Sequence, residues 1–135
     1  MNFIYKNIQK LRSILALVYG CCFIYIGINH FIDPEWFKPI VPSILRYPVL
    51  WVYFSGLCEI VLGLLIIFKQ SRKFASICFV IMLVLIYWAN INMWVNDIPI
   101  DGKKLSNTGH TIRAIIQGLI ILIVLWIGKI KPFNK

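Results

Sequence analysis

The sequence predicts an all-α fold: a polytopic membrane protein built as a four-transmembrane-helix bundle. Three observations carry this. Four apolar runs, at about 13–29, 49–68, 74–94 and 110–127, each approach the roughly 20 residues a helix needs to cross a bilayer's hydrocarbon core. Apolar residues make up 60% of the chain and mean hydropathy is +0.81, against roughly 45–50% apolar in soluble domains. Basic residues gather in short segments between the runs. At 135 residues the chain forms one domain, 1–135, with no room for a separate soluble one.

The first run, Ser13–Asn29, follows Lys6, Lys10 and Arg12 and so resembles a signal peptide. It is long, however, and no A-x-A-like cleavage site follows it, so an uncleaved first helix is expected. Residues 30–48 contain Pro34, Pro39, Pro42 and Pro48, which forbid a continuous helix. Trp36, Phe37, Ile40, Val41 and Tyr47 make the stretch apolar enough to lie in the membrane interface.

The second helix, VLWVYFSGLCEIVLGLLIIF, holds thirteen Val, Leu, Ile or Phe and one carboxylate, Glu59, at its middle. At roughly −0.3 to −0.6 kcal/mol each, the apolar residues outweigh a central acid costing about +3 kcal/mol, so the segment inserts. A tight basic turn at 69–73 leads to the third helix. Residues 95–109, VNDIPIDGKKLSNTG, are the one clearly polar loop, and the fourth helix precedes a basic tail from Gly128.

Charge sets orientation and excludes function classes. Net charge is +9, but the basic residues flank apolar runs, which reads as a topology signal and contact with anionic lipid, and argues against nucleic acid. The N-terminal segment, the 69–73 turn and the tail hold nine Lys and Arg; the other side holds five, with four of the five acidic residues. By the positive-inside rule both termini are cytoplasmic, expected in a bacterial inner membrane. Cys21, Cys22, Cys58 and Cys78 lie in apolar runs without C-x-x-C spacing and are expected to act as small hydrophobes.

An ionisable residue at mid-membrane is a site hypothesis that needs a partner. On Glu59's face lie Val52, Ser55, Gly56, Leu62, Gly63 and Ile66, small residues that let a neighbouring helix come close. In the fourth helix His110, Arg113, Ala114 and Gln117 form a stripe at i, i+3, i+4 and i+7. A downward-reaching Arg113 would pair with Glu59 directly or through Gln117. Asn90 and His30 stand on the same side, so the candidate network is His30, Glu59, Asn90, His110, Arg113 and Gln117, all from the midplane outward. These groups would equally serve as staples between helices, at ~0.6 kcal/mol per contact. Two histidines and a carboxylate without H-x-x-x-H or E-x-x-H spacing give no metal site, and no haem, flavin or iron–sulfur ligand set is recognisable.

The motifs G-x-x-H-F-x-x-P at Gly27–Pro34, I-V-P at Ile40–Pro42, S-G-x-x-E at Ser55–Glu59 and A-N at Ala89–Asn90 resemble, in their order and spacing, the DoxX-like family of small four-helix membrane proteins. The resemblance implies that His30, Glu59 and Asn90 are the recurring polar positions. Where many relatives show F-P-A-N this chain has Tyr87-Trp88-Ala89-Asn90, so a bent third helix is not implied. Three functions are compatible with the resemblance and the polar set. The first is binding of a quinone-like or lipid-like molecule in an outer-half pocket around Glu59. The second is an accessory subunit of a quinone-linked oxidoreductase, which would bring a redox partner protein. The third is a small transporter or channel acting as a homo-oligomer. Fold-level analogy does not choose among them.

Overall fold

The computed structural model describes residues 2–100 and 102–133. Five helices follow one another: α1 (Asn2–Ile32), α2 (Pro34–Phe37), α3 (Pro48–Ile67), α4 (Arg72–Val95) and α5 (Asn107–Ile127). The four long ones, α1, α3, α4 and α5, are long and apolar enough to cross a membrane, and the protein is an integral membrane protein of the four-helix-bundle class. Tyr5 meets Lys129, so both chain ends lie at one end of the bundle, the termini end; the segments 33–47 and 96–106 lie at the other, the loop end.

Boundaries depart from the sequence expectation where hydropathy and helix formation are different quantities. The first helix begins at Asn2 rather than at 13. Hydropathy falls at Lys6, Lys10 and Arg12, but no Gly or Pro interrupts residues 2–12, and nothing there stops a helix. Its 31 residues make it roughly 46 Å long at 1.5 Å per residue, well beyond a ~30 Å hydrocarbon core. The fourth spanning helix starts at Asn107, not 110, because Ser106 caps it: its Oγ accepts the Gly109 N–H at 3.2 Å. The third is an unbroken helix over Arg72–Val95, as the missing proline implies.

The prolines of the 33–47 segment leave it one short helix, α2, and a 3-10 turn over Lys38–Ile40. Asp33 starts α2 by accepting the Trp36 N–H at 3.3 Å, with Pro34 in the first position. Ile40 is buried, and Asn92 of α4 donates to its carbonyl at 3.4 Å. The segment is thus tied down across the loop end.

The tightest packing joins α1 and α3, which run antiparallel. Gly20 faces Gly63 and Gly27 faces Gly56. The pairs are seven residues apart on each helix, two turns, so both fall on one seam. A Cβ on Gly20 would stand 2.5 Å from the Gly63 carbonyl oxygen, and one on Gly56 would stand 2.6 Å from His30 Cβ and 2.8 Å from the Gly27 oxygen. Only hydrogen fits at these contacts, which lets the two backbones touch as small-residue seams in membranes do.

The buried apolar cluster lies toward the termini end. It combines Ala16, Tyr19 and Phe23 of α1, Leu62 and Ile66 of α3, Ala75, Phe79 and Leu83 of α4, and Val124 and Ile127 of α5. Tyr19, Phe23 and Phe79 form an aromatic triangle with centroids 4.8–5.2 Å apart. At its end α5 closes with the Lys129 N–H on the Trp126 carbonyl and the Ile130 N–H on that of Leu125, the bonding of a Schellman cap. Glycine normally takes the left-handed position of that motif; here Lys129 occupies it, at φ 52°, and Gly128 stands one residue earlier. The reason is packing: a Cβ at 128 would lie 2.5 Å from Ser76 Cβ on α4.

Replacing Gly63 by Val is expected to destabilise the bundle by about 1–3 kcal/mol, because the added carbons cannot be accommodated without separating α1 from α3. Gly118, where an added Cβ would meet nothing within 4 Å, is the control, and Gly118→Ala is expected to stay within about 0.5 kcal/mol. Unfolding in mild detergent, followed by far-UV circular dichroism, checks both.

Candidate functional site

The glycine seam determines what surrounds Glu59. His30 lies one turn past Gly27 on α1 and Glu59 one turn past Gly56 on α3. Gly27 packs on Glu59 Cβ, and Gly56 on His30 Cβ. Side chains on a helix tilt toward its N-terminus, and the two helices are antiparallel, so His30 leans down and Glu59 leans up across the glycine contact. They meet at 3.5 Å, Nδ1 to Oε2. Both are buried, at 7% and 4% exposure.

The hydrogen bonding of the pair is incomplete. His30 Nδ1 lies 2.9 Å from the carbonyl of Ile26, which fixes the tautomer with the proton on Nδ1. That proton is committed to Ile26, and Glu59 Oε2 has no hydrogen bond among the described residues. Above the pair, Phe37 stacks on the His30 imidazole with centroids 3.8 Å apart and planes 19° from parallel. Phe37 ends α2, so the interfacial segment is the roof of the site, and the Asn92–Ile40 bond pins that roof to α4.

The other four candidates are placed elsewhere along α4 and α5. Arg113 donates from Nη1 to the Met93 thioether sulfur at 3.4 Å, and among the described residues no ion pair joins it to Glu59. The expected Glu59–Arg113 pairing is replaced by Glu59–His30. The reason is axial: an arginine one and a half turns into α5 reaches back toward the helix start, where Met93 of α4 lies, not down to mid-membrane. Gln117 donates to the Leu83 carbonyl at 2.8 Å and staples α5 to α4. His110 is buried and stacks on Trp94 at 5.2 Å and 5°, and Trp94 Nε1 also donates to Asn107 at 3.1 Å. Asn90 is half-buried on α4.

Polar groups are not confined to the loop end. Arg12 is buried at the termini end, its guanidinium 4.8 Å over the Trp126 ring and bonded to the Phe133 carbonyl. Arg72 donates to the carbonyls of Ile66 and Ile67 at 3.1 and 2.9 Å, closing the end of α3. Sequence reasoning takes both only as a topology signal and lipid-headgroup contact at the flanks of apolar runs. It also gives no sign of Phe37 as a partner of His30, and it overlooks Gly20. The signal for Gly20 is there to be read: a seven-residue glycine interval, 20 to 27, matched by 56 to 63.

This geometry predicts the infrared behaviour of Glu59. Its carboxyl C=O band should vanish in Glu59→Gln, shift in His30→Gln and stay unchanged in Arg113→Leu, measured by pH-difference infrared spectroscopy. A shift on removing Arg113 would show that the guanidinium reaches the carboxyl after all.

Neither the curated proteins nor the solved structures contain a match to this chain. One family does match, over residues 19–128, from the aromatic triangle through the end of α5 and including both halves of the His30–Glu59 pair. The chain belongs to that family, described as a domain of unknown function, DUF8561.

Proposed function

We propose that this protein binds a small amphipathic molecule, quinone-like or lipid-like, whose polar head docks at the His30–Glu59 pair beneath the α2 roof. One observation carries the reading: Glu59 Oε2 is buried and lacks a hydrogen bond among the described residues, because the donor nearest to it is already used by Ile26. Buried polar atoms are nearly always partnered, and an orphan invites a ligand group. A carboxylate there accepts from a hydroxyl; a carboxylic acid donates to a carbonyl. Both belong to the head of a quinone or quinol, and the aromatic face of Phe37 suits a ring beside them. The DoxX-like resemblance supports the same location, since its G-x-x-H and S-G-x-x-E motifs are the two stretches that meet at Gly27, His30, Gly56 and Glu59.

The quinone reading is tested by titrating the purified chain in detergent with decylubiquinone and following tryptophan fluorescence. Saturable quenching is expected, with affinity reduced roughly ten-fold or more in Glu59→Leu, the loss of a hydrogen bond to a chargeable group. Unsaturable quenching in the parent protein, or equal affinity in the variant, would overturn it.

We also propose that the termini end faces the cytoplasm of a bacterial inner membrane, from the nine-to-five distribution of Lys and Arg. A fluorescent protein that folds only in the cytoplasm is expected to glow when fused to the C-terminus. A phosphatase active only in the periplasm is expected to stay silent there.

A further inference from the structure

Among the described residues, the termini end assembles basic side chains without acidic ones. Residues 2–12, 69–73 and 128–133 hold eight Lys and Arg and no Asp or Glu. The fold draws these three segments together. Lys129 Nζ reaches the Tyr5 hydroxyl at 3.4 Å and lies 5.6 Å from its ring; Arg12 lies on Trp126; Arg72 donates to Ser13 Oγ at 3.4 Å. Arg72 spends its donors on neutral oxygens, two carbonyls and a hydroxyl, so these contacts leave its charge uncompensated. The ion pairs of Lys38 with Glu35 and of Lys104 with Asp97 both lie at the loop end.

On the α1 side of this assembly lies an open surface hollow of about 500 Å³ lined by Phe3, Tyr5, Lys6 and Gln9. Gln9 Nε2 is buried there and donates to nothing among the described residues. The Lys6 ammonium and the Tyr5 hydroxyl add two more donors, with Lys129 beside Tyr5. A hollow rich in donors, with no Asp or Glu among the described residues around it, suits an anion with several acceptor oxygens.

We propose that this hollow binds the phosphate of an anionic lipid headgroup. A lipid fits better than free phosphate because exposed apolar side chains adjoin the hollow: Phe3 lines it, and Ile14 and Leu17 are exposed further along α1. A headgroup held by Lys6 and Lys129 has its acyl chains against that face. Lys129 is aimed by its left-handed backbone, so glycine there suits the cap while removing the ammonium.

Native mass spectrometry of the full chain in mild detergent tests the site with dioleoylphosphatidylglycerol and dioleoylphosphatidylcholine. Retention of the anionic lipid in preference to the zwitterionic one is expected. Lys6→Gln and Lys129→Gly should each weaken it roughly five-fold, as a lysine near an anionic surface does. Lys103→Gln/Lys104→Gln at the loop end should leave it unchanged. Lys129→Gly is expected to keep or raise the melting temperature, which separates lost binding from lost fold. Equal retention of the two lipids, or no change in either single variant, overturns the proposal. Inorganic phosphate in large molar excess should not displace the lipid; if it does so and binds by itself, the site is one for a free anion and the lipid assignment falls.

Discussion

The structure depends on the contact of two helix backbones. Gly20 against Gly63 and Gly27 against Gly56 bring α1 and α3 together without intervening side chains. In a bilayer no hydrophobic force drives one helix onto another, since lipid tails are as apolar as leucine; close packing and polar contacts must do so. The glycine pairs supply the packing and also set the axial register. A slip by one turn would separate His30 from Glu59 and leave a carboxyl in hydrocarbon with no neighbour, a costly outcome. Seam and site are one device.

At the termini end the arginines bond to carbonyls, a hydroxyl and an indole ring, and they close helix ends and hold the tail against α1. At mid-membrane Glu59 Oε2 has no hydrogen bond among the described residues, as is also true of Gln9 Nε2, Tyr19 Oη and Ser76 Oγ nearer the termini end. What sets Glu59 apart from Gln117, whose bond to the Leu83 carbonyl staples two helices, is a chargeable atom at mid-membrane with no such bond.

Much of the architecture is legible in the sequence. The four spans follow from hydropathy, because the bilayer fixes a length and each run meets it. Gly56 and Gly63 beside Glu59 mark the face that meets another helix. Which groups meet is not legible. Arg113 is the natural partner for Glu59 on charge alone, but the partner is decided by helix direction. Side chains tilt toward the N-terminus, so α5 carries its arginine away from mid-membrane while α1 carries its histidine toward it. Arg12 and Arg72 read only as flanking charges because hydropathy cannot tell a charge at the membrane surface from one folded over a tryptophan or onto a helix end. The start of α1 escapes for a related reason: hydropathy marks where hydrocarbon begins, not where a helix does.

The off-centre core has a mechanical meaning. All ten residues of the buried apolar cluster lie toward the termini end, while the loop end buries the separate Ile40, Val52 and Met93 beside its hydrogen bonds and ring stacks. Local opening follows the distribution of buried apolar contacts. The bundle is therefore built like tongs, with its pivot near the Tyr19–Phe23–Phe79 triangle and its jaws at the loop end. Between α1 and α3 the glycine seam holds the loop end together, and the α2 segment joins that pair to α4 through the Asn92–Ile40 bond. Lateral pressure in one leaflet of the bilayer then bears unequally on the two halves of the molecule, as it would on any lever with an off-centre fulcrum.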